Sequence, residues 1–159
     1  MKENKTCSFT GHRKIPSEQY ESIAKRLKET LINLIENNYC YFGAGGALGF
    51  DTLAAQTVLE LRLQFLQIKL ILVLPCKTQT MGWSNEDIAI YEKIKRQADK
   101  VVYTSDEYSR GCMLKRNRHL IDNSNICIAY LKENKGGTAY TVNYAKSKNI
   151  KVINISEEL

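Results

Sequence analysis

The sequence predicts an α/β protein. The expected form is a Rossmann-like three-layer sandwich, with a mostly parallel six-stranded sheet and helices on both faces. Three observations carry this. Apolar runs of strand length alternate with helical patterns along the whole chain. The run Ile68 to Leu74 is continuous in Ile, Leu and Val apart from Lys69, as in a strand covered on both faces. Glycine-rich turns stand directly between strand and helix after the second and the fifth strand. The 159 residues suit a single domain, 1–159.

Cys7 to Thr10 is the first strand. Pro16 or Ser17 opens a helix, because proline suits a first turn and serine a cap. Its apolar stripe is Ile23, Leu27, Leu31, Leu34 and Ile35, and Asn37 and Asn38 end it. Tyr39 to Phe42 is the second strand, and a helix runs from about Asp51 to Phe65. The third strand, Ile68 to Leu74, stops at Pro75. A helix follows Ser84, with Ile88, Tyr91, Ile94 and Ala98 inward. Lys100 to Tyr103 is the fourth strand, Cys112 to Asn123 a helix, and Asn125 to Tyr130 the fifth strand. A helix from Thr138 to Lys148 and a strand from Lys151 to Ile155 close the order. Strict alternation implies parallel strands joined by right-handed crossovers. Ligands in such folds sit beyond the carboxyl ends of the strands.

The composition is that of a soluble globule, 43% hydrophobic and 25% charged. Five cysteines, at 7, 40, 76, 112 and 127, form no CxxC pair and have no paired histidines, so they read as reduced, mostly buried thiols. No metal site is expected. Met1 to Thr6 is polar, with no apolar signal segment, and no apolar run is long enough for a bilayer. The expectation is a cytoplasmic protein without membrane association. The net charge of +6 favours anionic partners, and Arg110, Lys115, Arg116 and Arg118 concentrate part of it. The plain alternative for that run is a solvated helix face.

Five loops at the strand ends bear on function. Thr10-Gly11-His12-Arg13 leaves the first strand tightly and sets His and Arg at the edge, where Arg13 suits a phosphate. Gly43, Gly45, Gly46 and Gly49 precede a helix, so backbone N–H groups and the helix dipole there favour an anion. The spacing departs from GxGxxG at Leu48 and follows the second strand, which disfavours a common nicotinamide dehydrogenase. Asp51 is either a helix cap or an acceptor for a ribose hydroxyl. Trp83, in the long loop after Pro75, either stacks on a base as a lid or packs on the surface. Cys76 has no adjacent histidine, so a thiol nucleophile is the weaker alternative. Arg116 and Asn117 reach the ligand from the early turns of their helix, while Asp122 serves structure and His119 is solvated. Gly136, Gly137 and Thr138 make a second anion cradle at a helix start.

Thr10 to Arg13, Gly45 to Ala55, Arg116-Asn117 with Asp122, and Gly136-Gly137-Thr138 together resemble the YpsA-like proteins of the SLOG superfamily. That superfamily also contains the LOG phosphoribohydrolases and DNA-processing protein A. The resemblance runs from about Thr6 to Ile155, and Gly46 to Ala55 is similar to the G-A-x-G-I-D…A segment of DNA-processing protein A. It implies a Rossmann-like fold and a nucleotide or nucleotide-derivative ligand, such as ADP-ribose, NAD or a nucleoside monophosphate, bound in a sensing role. LOG enzymes cleave the N-glycosidic bond of nucleoside 5′-monophosphates and carry P-G-G-x-G-T-x-x-E. Here Lys135-Gly136-Gly137-Thr138 lacks the leading proline, and no Glu follows in place, which argues against that reaction; no catalytic residue is assigned.

The leading expectation is a ligand-sensing module with a protein partner. A nucleotide N-glycosidic hydrolase and a single-stranded DNA binder are the alternatives. Nucleic acid ranks lower because no aromatic-plus-basic stacking strip is legible in the sequence. The leucines Leu59, Leu63 and Leu66 are compatible with a homodimer.

Overall fold

The computed structural model describes residues 3–159. Met1 and Lys2, the start of the polar opening stretch, lie outside them. The elements are β1 (Lys5–Gly11), a 3-10 turn (Ser17–Gln19), α1 (Tyr20–Glu36), β2 (Tyr39–Ala44), α2 (Phe50–Arg62) and β3 (Lys69–Leu74). There follow α3 (Asn85–Gln97), β4 (Lys100–Tyr103), α4 (Cys112–Asp122), β5 (Ile126–Tyr130), α5 (Gly136–Ser147), β6 (Lys151–Asn154) and a last 3-10 turn (Ile155–Glu157).

All six strands pair in parallel, in the order β4-β3-β2-β1-β5-β6. The chain steps outward from β1 to β4 and then returns to the far side of β1 for β5 and β6. With right-handed crossovers, α1, α2 and α3 cover one face and α4 and α5 the other. The packing agrees: α1 meets α2, α2 meets α3, and α4 meets α5. The order of strands therefore reverses between β1 and β5. A crevice opens at such a switch point, since the crossovers on its two sides leave to opposite faces.

Alternation along the strands builds two cores. On β1, Cys7 and Phe9 face α1 and α2, where Ile23, Leu27, Leu31, Val58 and Leu61 are buried. Each such aliphatic side chain contributes roughly 1.5–3 kcal/mol by leaving water. On the other face Ile121, Cys127 and Ala145 form a smaller cluster. Gly43, within β2, belongs to this packing: a Cβ there would stand 2.9 Å from Leu120 Cδ2 of α4.

The structure shifts several predicted boundaries. The turn at Ser17 is 3-10, and α1 proper starts at Tyr20. Ser84 caps α3, its Oγ accepting the Asp87 N–H at 3.1 Å. The last predicted helix begins earlier, at Gly136. Helix α2 ends at Arg62, so Leu63 and Leu66, each 84% exposed, do not extend the face on which Leu59 packs. All five cysteines are free and buried. Among the described residues no helix is long and apolar enough to cross a membrane, and no three His, Cys, Asp or Glu side chains are grouped to hold a metal ion.

Candidate functional site

A cleft of about 280 Å³ lies at the carboxyl edge of the sheet, at the switch point between β1 and β5. Three chain segments meet there. Thr10, Gly11, His12 and Arg13 come from the end of β1. Met113, Leu114, Arg116 and Asn117 come from the first turns of α4. Lys135, Gly136, Gly137 and Thr138 come from the start of α5. Ala47 and Asp51 form the remaining wall, from the turn before α2.

Two glycines make this convergence possible. A Cβ on Gly11 would stand 2.5 Å from the Phe50 ring, so its absence lets α2 begin directly against the end of β1. Gly49 has φ +77° and precedes α2 as its N-cap. A Cβ there would meet the Arg13 carbonyl oxygen at 2.3 Å. The Phe50 N–H donates to the His12 carbonyl at 3.1 Å, which ties the two turns together.

Arg116 is only 3% exposed. From α4 its Nη1 donates to the Gly45 carbonyl, and its Nε donates to Asn117 Oδ1 at 2.7 Å. Asn117 Nδ2 donates in turn to Thr141 Oγ1 at 2.9 Å, and that hydroxyl donates to the Gly137 carbonyl at 2.8 Å. One chain of hydrogen bonds thus joins the turn after β2 to the start of α5. Burial pulls the Arg116 pKa below its ordinary value, and the nearby Asp51 carboxylate opposes that shift.

Asp51 is also buried. Its Oδ2 accepts the Ala47 N–H at 3.3 Å, and the Gly45 amide supports the same carboxylate. Its Oδ1 has no hydrogen-bond partner. Burial raises the Asp51 carboxyl to about 6, although Arg116, the Ala47 amide, Arg13 and the Gly45 amide pull it down.

His12 stands at the rim. Its Nε2 accepts the backbone N–H of Lys132 at 3.0 Å and that of Glu133 at 3.2 Å. Both bonds require the unprotonated nitrogen, so the ring is neutral with its proton on Nδ1. Burial lowers its pKa from the ordinary 6.5, with Glu133 opposing and Lys135 reinforcing. The His12 ring thereby fixes the loop that leads into α5.

Helix α5 starts with Gly136 at φ +80°, and no side chain caps it. Gly136 and Gly137 are exposed, and no acidic residue stands in the first turn. The N–H groups of that turn and the positive end of the helix dipole thus border the cleft with no acidic side chain on the first turn of the helix to neutralise them. Arg13, Arg116 and Lys135 add three cationic groups around it.

The structure brings together ten of the residues singled out above: Thr10, Gly11, His12, Arg13, Asp51, Arg116, Asn117, Gly136, Gly137 and Thr138. Gly43, Gly45, Gly46 and Gly49 do not line the cleft. Their lack of a side chain answers to packing against Leu120, Arg116, Leu74 and the Arg13 carbonyl respectively. The amide cradle expected at this first glycine turn is filled by the Asp51 carboxylate and braced by Arg116. Asp51 is accordingly not the N-cap of α2, a place that Gly49 holds. Trp83 is also elsewhere. It packs edge-on against Tyr91, with ring centres 5.5 Å apart, in a separate cleft with Ile15, Leu48 and Gly49. Asp122 accepts the Tyr144 hydroxyl at 2.7 Å, a structural contact between α4 and α5. Met113, Leu114, Ala47 and Lys135 line the cleft without having been singled out. Met113 lies three residues before Arg116, on the same helix face, and that spacing was the available signal.

The model of the YpsA family, described as the YspA SLOG family, matches residues 10–156. The chain is 32% identical over 138 residues to the uncharacterized SPbeta prophage-derived protein YoqJ of Bacillus subtilis, covering 76% of this chain and 81% of that protein. It is similar in structure to DNA processing protein A from Helicobacter pylori, with TM-score 0.64 and 18% identity over 98% of this chain and 71% of that one. DNA processing protein A from Streptococcus pneumoniae gives TM-score 0.66 and 17% identity, covering 94% of this chain and 49% of that one. At these identities the likeness to the solved structures concerns the fold. The site motifs, the match over residues 10–156 and the prophage relative agree: the chain belongs to the YpsA family of SLOG proteins.

Proposed function

We propose that this protein binds a small phosphate-bearing nucleotide in the cleft between β1 and β5, and that occupancy regulates an interaction with a protein partner. The uncapped start of α5, facing Arg13 and Arg116 across the cleft, carries this reading. Exposed amides at a helix start and a guanidinium together match a phosphate group. The volume, about 280 Å³, is just below the roughly 300–1,000 Å³ of small-ligand pockets, which suits no more than one nucleotide unit. Thr138 and Asn117 supply hydroxyl and amide groups for the sugar, and Asp51 is the carboxylate in the wall of the cleft. The loop Lys132 to Lys135 is exposed and joins the His12 ring to α5, so a ligand on α5 changes the surface a partner meets.

Calorimetric titration with AMP tests the reading. Arg13 is exposed, so Arg13→Ala keeps the fold. Removing one charged phosphate contact costs about 2–3 kcal/mol, or about 30- to 150-fold in affinity. Absence of AMP binding to the wild type at millimolar concentration would refute it.

A second reading, single-stranded DNA binding, gains from an observation the sequence did not offer. Tyr140 is exposed, lies parallel to Tyr144 with ring centres 6.4 Å apart, and its hydroxyl accepts Arg118 Nη1 at 3.2 Å. This is an aromatic and basic strip one helical turn beyond Gly137. Exposed rings beside cations stack bases. The Helicobacter pylori neighbour is a single-stranded DNA binder. Under this reading Tyr140→Ala lowers oligonucleotide affinity and leaves AMP affinity unchanged, and the binding weakens steeply with salt.

A further inference from the structure

The sheet is covered unequally on its two faces. Helices α1, α2 and α3 cover one face, whereas on the other α5 packs on β1, β5 and β6 and α4 on β1 and β3. The β3–β4 end of that second face is left open beside α4, as a groove of about 290 Å³. Its floor is Tyr41, Ile71, Val73 and Val102, and its wall is His119 and Leu120 of α4. Tyr41, Ile71 and Val102 stay partly exposed, while Phe42, Leu70 and Leu72, which point to the covered face, are at most 1% exposed. A run of Leu, Ile and Val such as β3 is the composition of a strand buried from both sides, and this fold covers only one side of it fully.

The rim of the groove is cationic. Lys100 lines it, and no carboxylate does among the described residues. Lys69, opposite Tyr41 in the register, stands on the same face, and Lys115 lies one turn before His119 on α4; both are exposed. Asp99, at the start of β4, is taken by Arg62 at 2.7 Å, and Asp122 by the Tyr144 hydroxyl. We propose that this groove docks an amphipathic helix of a different protein, apolar where it meets β3 and acidic along its flanks. The face of a sheet, unlike its edge, offers no free backbone N–H or C=O groups, so an added strand has nothing to pair with there. A helix beside α4 instead completes the third layer. The six residues of β3 span roughly 20 Å, the length of a helix of about 13 residues. Carboxylates on its flanks meet Lys69, Lys100 and Lys115. A second copy of this chain does not fit the part: its net charge of +6 repels the same charge, and α1, α2 and α3 already bury their apolar stripes in its own core. The inference goes beyond the nucleotide reading and does not depend on it, although α4 borders both the groove and the cleft between β1 and β5.

The test uses a fluorescein-labelled peptide of about 14 residues, with leucines at helical spacing and glutamates elsewhere, beside a second peptide with lysines in place of the glutamates. Fluorescence anisotropy reads their binding to the full chain. Wild type binds the glutamate peptide about tenfold or more tighter than the lysine peptide. Lys100→Glu and Ile71→Thr, at exposed and partly exposed positions, each weaken the glutamate peptide by about fivefold or more. Lys25→Glu, the same change of charge at an exposed position of α1, leaves it unaltered. Circular dichroism of the variants matches wild type, and Lys100→Glu alone decides if Ile71→Thr unfolds. Failure of the glutamate peptide to bind at about millimolar concentration overturns the proposal, as do equal affinities for the two peptides. So does Lys25→Glu weakening binding as much as Lys100→Glu, which would be the effect of overall charge. A single-stranded oligonucleotide that loses affinity with Lys100→Glu, while the peptide does not, makes the face a nucleic-acid surface and overturns the proposal too. AMP affinity is the same in Lys100→Glu and wild type, so a failure here leaves the nucleotide reading standing.

Discussion

His12, at the end of β1, accepts the backbone N–H of Lys132 at 3.0 Å, across the switch point of the sheet. An aromatic ring at one strand end thus holds the loop that starts the helix on the other side of the crevice. The uncapped amides of α5 depend on that loop for their position.

His12→Ala therefore frees the Lys132 and Glu133 amides, at a cost of about 1 kcal/mol in urea unfolding. The ring has a folded pKa below 6.5, so it is neutral at pH 7 and loses its acceptor role only on acidification. The unfolded chain takes up this proton first as pH falls, so the stabilisation is present above 6.5 and lost through the lower folded pKa. In NMR titrations of the wild type, the Lys132 and Glu133 amide signals stay constant above pH 7 and move with a midpoint below 6.5.

Asp51 acts in the opposite sense. Its folded pKa is about 6 and its ordinary value 3.8, so between those values the folded state holds a proton that the unfolded state has released. The unfavourable contribution is absent below about 3.8, grows as pH rises and is complete above about 6. Asp51→Asn removes the titration and keeps an oxygen for the Ala47 amide. Its melting temperature relative to wild type rises from pH 4 to pH 7. A constant difference across that range contradicts the assignment.

Arg116 joins Gly45 to α4 from a largely buried place in the cleft wall. Arg116→Ala leaves the Gly45 carbonyl and the Asp51 carboxylate without their cation. Breaking a buried charged network in this way costs about 3–5 kcal/mol. Urea unfolding at pH 7 measures it, and a loss under about 1 kcal/mol would place Arg116 outside the structural network.

The glycines separate into two kinds. Gly49→Ala forces a Cβ onto the Arg13 carbonyl at a positive φ, and the variant is expected to be largely unfolded by circular dichroism. Gly137→Ala meets only Leu114, at 3.9 Å, with no left-handed backbone. It replaces a helical glycine by the best helix former, so its stability matches or exceeds wild type by up to about 1 kcal/mol.

The fold was legible because its signals are local. Ile23, Leu27, Leu31 and Leu34 repeat at helical spacing, Leu70 to Leu74 run as a covered strand, and Gly49 and Gly136 mark turns that need positive φ. Alternation of these elements determines a parallel sheet, and a parallel sheet determines which edge carries Arg13, Arg116 and Gly136. What the glycine turns face was not legible. The first looked like an anion cradle, yet Arg116, 71 residues away in sequence, reaches back to Gly45, and Asp51 turns into the loop before it. Trp83 went to the packing around Tyr91, and Tyr140 surfaced beside Arg118. Periodicity and turn chemistry act between neighbours in the chain and so show in the sequence. Hydrogen bonds between distant elements depend on the distance and angle at which those elements pack, and only the assembled sheet and helices decide them.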